Sequence, residues 1–252
     1  MIHVEQAPEP GDFTKKVRSK GQAALLELIG SPDAPRRRGR PRNRGENPVT
    51  RVEDLSSDLL PDIWTEALPD LRKAYRDICA YLGMYIDRAT GLATVDHFVP
   101  KSKNQALAYE WTNFRLAAHQ VNANKGDHED VLDPFEIKNG VFVLDLGTFK
   151  IEPADGLSEE VRKAVIATRE RLKLNDPTFC AARARYHDLY HGLKTEPDDP
   201  DEPLPYAWLV RNCPFVAYEL RRQGRLRGAD GASDGTGGEG SGDPQKKNCR
   251  SA

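Results

Sequence analysis

Apolar positions fall into short groups along this chain, and their differing periods predict a mixture of helices and strands. Ala23, Ala24, Leu25, Leu26, Leu28 and Ile29 form one apolar stretch ended by Gly30, Ser31 and Pro32, the pattern of a short helix with its stop. Leu71, Tyr75 and Ile78 recur at helical spacing and predict an amphipathic helix over about 70–79. Residues 83–87 and 91–98 read as short strands around a turn, and 114–117 as another. Residues 121–125 predict a short helix closed by Gly126. Asn139-Gly140 before the apolar run 141–144, then Gly147 before 148–151, predicts a hairpin. Ser158 followed by Glu159 and Glu160 starts a helix whose apolar face is Val161, Val165 and Leu172, and a last helix spans about 215–222.

These elements divide the chain into four regions. Residues 1–50 read as an arm with one helix, 51–155 as a compact α+β unit, 156–227 as a helical extension, and 228–252, rich in Gly, Ser and Asp, as a disordered tail. With 252 residues, 38% hydrophobic and 30% charged, the chain has enough apolar side chains for a core. No apolar run approaches the roughly 18–20 residues of a membrane span, and the start lacks a secretory pattern, so no membrane partner and a cytoplasmic location are expected. Cys79, Cys180, Cys213 and Cys249 are scattered, with no Cys-x-x-Cys pair, which argues against a disulfide scaffold or a four-cysteine zinc ribbon. The net charge of −2 hides one concentration of positive charge: six of the nine residues from Arg36 to Arg44 are arginine, namely Arg36, Arg37, Arg38, Arg40, Arg42 and Arg44. Like charges at that density repel, so the segment is expected to be extended and mobile until it meets phosphates, and DNA is the expected partner. Its Arg38-Gly39-Arg40-Pro41 core is similar to minor-groove arginine hooks, but clustered arginine gives affinity more easily than specificity, so non-specific phosphate contact is the preferred reading, with no contact at all beside it.

Candidate chemistry lies between Val95 and Asp127. Asp96 offers a hard oxygen ligand suited to Mg²⁺ or Mn²⁺, and the neutral imidazole of His97 can take a proton from water. Adjacent strand residues point in opposite directions, but at a strand end both can reach one cleft. Asn122, on the following helix, offers a second oxygen, with Asn124 as the alternative. Asn113 is neither acid nor base, and suits holding a loop or orienting His97 by hydrogen bonds. Lys101, Arg115 and Lys125 are candidates to grip neighbouring phosphates. His119, His128 and the pair His187 and His191 read as ordinary surface or helix histidines.

Asp96-His97, Asn113, Asn122 and Lys125-Gly126, in this order and spacing, resemble the HNH, or ββα-metal, nuclease motif over about 30 residues. The resemblance implies an α+β core of two strands and a helix around one divalent ion. It makes His97 the general base, Asp96 and Asn122 the ligands of one Mg²⁺ or Mn²⁺, and Asn113 the middle asparagine. Many HNH proteins also carry two cysteine pairs that bind a structural zinc. Here Cys79 is kept while Leu82, Ala118 and Val121 take the other positions, so no structural zinc is expected. A further histidine ligand is also missing, with Gly126 in its place. The stretches 79–83, 108–116 and 132–135 look like a bacterial HNH subfamily paired with ATPases in anti-phage systems, such as the Septu-type nuclease subunit. The expectation is a metal-dependent DNA endonuclease acting in phage defence with an ATPase partner. The alternative is a catalytically weak DNA-binding or scaffold subunit that uses the arginine segment.

Overall fold

In the computed structural model, residues 1–36, 38–193, 196, 199–200 and 202–228 are described. The fold is mixed α+β. Helix α1 (Ser19–Ile29) is followed by α2 (Leu68–Ala74), strand β1 (Ala93–His97), strand β2 (Phe114–Ala118) and helix α3 (His119–Lys125). Then come β3 (Phe142–Leu144), β4 (Ile151–Pro153), and helices α4 (Glu159–Arg171), α5 (Pro177–His191), α6 (Tyr206–Asn212) and α7 (Pro214–Arg222). Two antiparallel ribbons make up the sheet structure: β1 with β2, registering His97 against Phe114, and β3 with β4, registering Leu144 against Ile151.

A single apolar cluster runs through these elements, from Met1, Phe13 and Val17 through Leu71, Phe114 and Val121 to Phe179, Phe215 and Leu220. The N-terminal segment contributes Met1, Phe13, Val17, Leu25 and Leu28 to it. Phe13 lies edge-on to Trp111 and Phe114, at 5.5 and 5.9 Å, and the Trp111 indole N–H donates to the Ala7 carbonyl at 2.8 Å. Helix α1 ends on Gly30 at φ +68°, a left-handed cap that glycine adopts without strain. Phe215, Val216 and Leu220 of α7 are fully buried and form part of the core.

Three predicted elements differ, the first being the second hairpin strand, which lies at Ile151–Pro153 and not at 148–151. The helix expected over 70–79 stops at Ala74, because Arg76 and Asp77 take left-handed conformations, φ +52° and +60°. The Asp77 carboxylate accepts from Arg72 at 2.5 Å and Arg88 at 2.9 Å, and these contacts hold a turn that local propensity disfavours. Residues 83–87 form no continuous strand. They close a tight loop through one bridge, Ile78 with Tyr85, and through the Cys79 N–H donating to the Met84 carbonyl at 2.9 Å. In α4 the buried face is Val165 and Thr168, with Leu172 at the cap, while Val161 is exposed. The tail expectation for 228–252 falls, beyond Gly228, outside the described residues.

Candidate active site

The alternation of β1 sets the site. Thr94 and Asp96 point to the face covered by α3: the Asn122 amide donates to the Thr94 hydroxyl at 3.0 Å, and the Lys125 ammonium donates to Asp96 Oδ1 at 3.1 Å. His97 points to the other face, edge-on to Phe114 at 5.3 Å and to Trp64 at 4.9 Å. Past the strand end both faces open on one cleft of about 230 Å³, lined by Trp64, Asp96, His97, Lys101, Asn122 and Asp127 among others. Asp96, His97 and Asn122 therefore meet there.

His97 is only 8% exposed, and its Nε2 lies 2.9 Å from the Ala108 carbonyl oxygen. A carbonyl only accepts, so Nε2 carries the proton and Nδ1 is left with its lone pair. No partner holds Nδ1 among the described residues, and the ring lines the cleft. Burial holds the imidazole below its ordinary pKa, outweighing the Ala108 bond and the Asp96 charge, which act the other way. The neutral ring thus has one basic nitrogen, in a fixed orientation.

Asn113 is buried on the loop side. Its Oδ1 accepts from the Val99 N–H at 2.8 Å, and its Nδ2 donates to the carbonyls of Val99 at 3.0 Å and Leu107 at 3.2 Å. One amide thereby pins both ends of the loop that leaves His97 and returns with Ala108.

Asp96 is 2% exposed and held from two sides. Besides Lys125, the Tyr81 hydroxyl donates to Oδ2. Burial and the neighbouring carboxylate push the Tyr81 hydroxyl well above its usual pKa, so it remains a donor. Lys125 also donates to the His97 carbonyl at 2.7 Å and is completely buried.

The sequence pattern casts Lys125 and Arg115 as phosphate grips, and the structure corrects both. The Lys125 charge is spent on Asp96. Arg115, 3% exposed, makes a two-pronged bond to Asp133 and lies 3.6 Å above the Phe135 ring. Neither can leave its partner without stranding a buried charge. Lys101 does line the cleft, with its ammonium 5.0 Å from the Trp64 ring centre and 3.3 Å from the Ser57 carbonyl. Of the arginine segment, Arg36, Arg38 and Arg40 are exposed, and Arg37 lies outside the described residues. Arg42 and Arg44 are tied back to α1: Arg42 pairs with Glu27 at 3.1 Å, and Arg44 donates to the Leu28 carbonyl at 2.7 Å. The segment is therefore anchored at its C-terminal half.

Oxygen donors in the cleft suit a hard cation. The Asn122 side chain gives its N–H to Thr94 and leaves Oδ1 available, and Asp127 is exposed at the rim. Asp127 had no assigned role in the sequence. Its signal was its place beside Gly126, whose φ of +51° ends α3 and turns the chain toward the cleft. Trp64, Tyr81 and Ala108 were also missed, since nothing local marks a residue that touches the site from a distant segment. At the position of the absent zinc ligands, the Cys79 thiol accepts from the Ala118 N–H at 3.4 Å, and Leu82 and Val121 are buried in the apolar cluster. No protein-family model matches the chain, and no curated protein matches it.

Proposed function

We propose that this chain is an HNH-type, divalent-metal-dependent endonuclease that hydrolyses phosphodiester bonds in DNA, with β1, β2 and α3 as its ββα-metal core. The observation that carries the reading is the imidazole of His97, fixed through Nε2 on the Ala108 carbonyl, beside Asp96 and Asn122 in one cleft. In this reading His97 Nδ1 takes the proton of a water molecule, which attacks phosphorus in line with the leaving 3′ oxygen. The products are a 5′-phosphate and a 3′-hydroxyl. Asp96, Asn122 and Asp127 would hold one Mg²⁺ or Mn²⁺, which when bound supplies charge stabilisation for the phosphate and the leaving oxygen. Asn113 keeps the loop between His97 and Ala108 rigid, so the base cannot swing out of line. Lys101 grips a neighbouring phosphate, and Arg36, Arg38 and Arg40 hold the flanking duplex. Action in phage defence with an ATPase partner, in the cytoplasm, is part of the proposal and rests on the resemblance of residues 79–83, 108–116 and 132–135.

One observation favours a second reading, a catalytically weak DNA-binding or scaffold subunit: Lys125 already supplies a positive charge to Asp96, and Tyr81 takes its other oxygen. Plasmid nicking in Mg²⁺ or Mn²⁺ separates the two. The nuclease reading expects His97→Ala to lose about 10²–10⁴-fold in rate while duplex binding stays intact. Equal nicking by the purified protein and the variant would show contamination and remove the enzyme reading.

A further inference from the structure

The C-terminal helices carry a second group of reactive side chains that phosphodiester hydrolysis leaves unused. His187 and His191 lie four residues apart on α5 and so share one face. Their ring centres are 4.4 Å apart, with planes inclined by 48°. Both line an open pocket of about 620 Å³, shared with Leu146, Gly147, Gln223 and Arg225. The two rings are prepared differently. His187 Nδ1 lies 2.8 Å from the Asp188 carboxylate, which can only accept, so Nδ1 carries the proton and Nε2 keeps its lone pair. This carboxylate brace is the arrangement that orients metal-binding histidines. His191 Nε2 is buried with no hydrogen-bond partner among the described residues, an expensive state for a ring nitrogen.

We infer that His187 and His191 form a binding site for a single transition-metal ion, of the Cu²⁺ or Ni²⁺ class that accepts ligands at right angles, separate from the Asp96 cleft. The spacing suits it. With nitrogen–metal bonds of about 2.0–2.1 Å, two imidazoles at right angles around one ion have centres roughly 4.5 Å apart. A turn of the His191 ring about its Cβ–Cγ bond would bring a nitrogen to the pocket. Burial, His187 and Arg227 hold His191 below its ordinary pKa, the direction that favours the neutral ring. Imidazole ligation selects these metals over Mg²⁺. No third His, Cys, Asp or Glu joins the pair among the described residues, so the protein supplies two ligands and the cavity leaves room for water or an anion drawn by Arg225.

The test uses the protein purified without a histidine tag, in a His3→Ala background that removes a competing, partly exposed histidine. Electron paramagnetic resonance with one equivalent of Cu²⁺, in excess Mg²⁺, should show two coordinated imidazole nitrogens. His187→Gln and His191→Gln should each leave one, and should weaken Ni²⁺ binding at least tenfold by calorimetry. Asp188→Asn should weaken it about tenfold with both nitrogens kept. The exposed Asp127→Asn change should leave the copper spectrum as it is, which separates this site from the proposed nuclease centre. An unchanged spectrum in both glutamine variants, with folding verified by circular dichroism, would overturn the site.

Discussion

Lys125 is held tightly beside the cleft. Its ammonium is fully buried, donates to Asp96 and the His97 carbonyl, and lies 5.9 Å from the Phe98 ring centre. Lys125→Met keeps the stem volume and removes the charge, leaving the Asp96 carboxylate buried beside Tyr81 alone. The expected loss is about 3–5 kcal/mol by chemical denaturation. If Asp96 also serves a cation, millimolar Mg²⁺ should restore part of that loss and should stabilise the variant more than the parent protein. At this scale the sequence showed which residue types could do chemistry, but not which charges were already spent. Arg115 and Lys125 looked like phosphate grips because their partners, Asp133 and Asp96, lie 18 and 29 positions away. Nothing in local spacing reports such a pairing. Asn113 was legible as a loop holder because an amide in that place can do little else.

Among the elements, the turn at residues 105–109 matters most, since it carries the carbonyl that orients His97. It rests on α1 where Gly21 faces Tyr109: a Cβ on Gly21 would lie 2.1 Å from Tyr109 Cγ. Tyr109 in turn donates to the Pro61 carbonyl at 3.0 Å and packs on Trp64 at 5.9 Å. Gly21→Ala therefore either displaces the turn or lifts α1. We expect a loss of about 1–3 kcal/mol in thermal or urea unfolding, with nicking activity reduced by more than the remaining folded fraction explains. Strands β1 and β2 and helix α3 could be read from local pattern because turn residues and a glycine bound them. Helix α2 could not, because its end is set by Asp77, clasped by Arg72 of the helix and by Arg88 from the following loop. The same limit hid the role of α1, whose apolar stretch signals a helix but not the turn it supports.

On the scale of the molecule, the composition shifts that divide the sequence into four regions do not divide the apolar core, which includes Met1 and Leu220 alike. The arginine segment leaves this body anchored by Arg42 and Arg44, with Arg36, Arg38 and Arg40 exposed. Replacing those three by serine should lower duplex affinity and flatten the dependence of log K on log salt by up to about 0.9 for each phosphate left without its arginine. An unchanged slope in filter binding would mean that the segment does not touch DNA. A last consequence concerns heredity. The group that fixes the His97 tautomer is the backbone oxygen of Ala108, and every amino acid supplies that oxygen. No codon change at position 108 deletes the bond; side-chain bulk at this fully buried position is the only thing selection has to police there. Drift can rewrite much of the surrounding surface and still inherit a correctly poised imidazole.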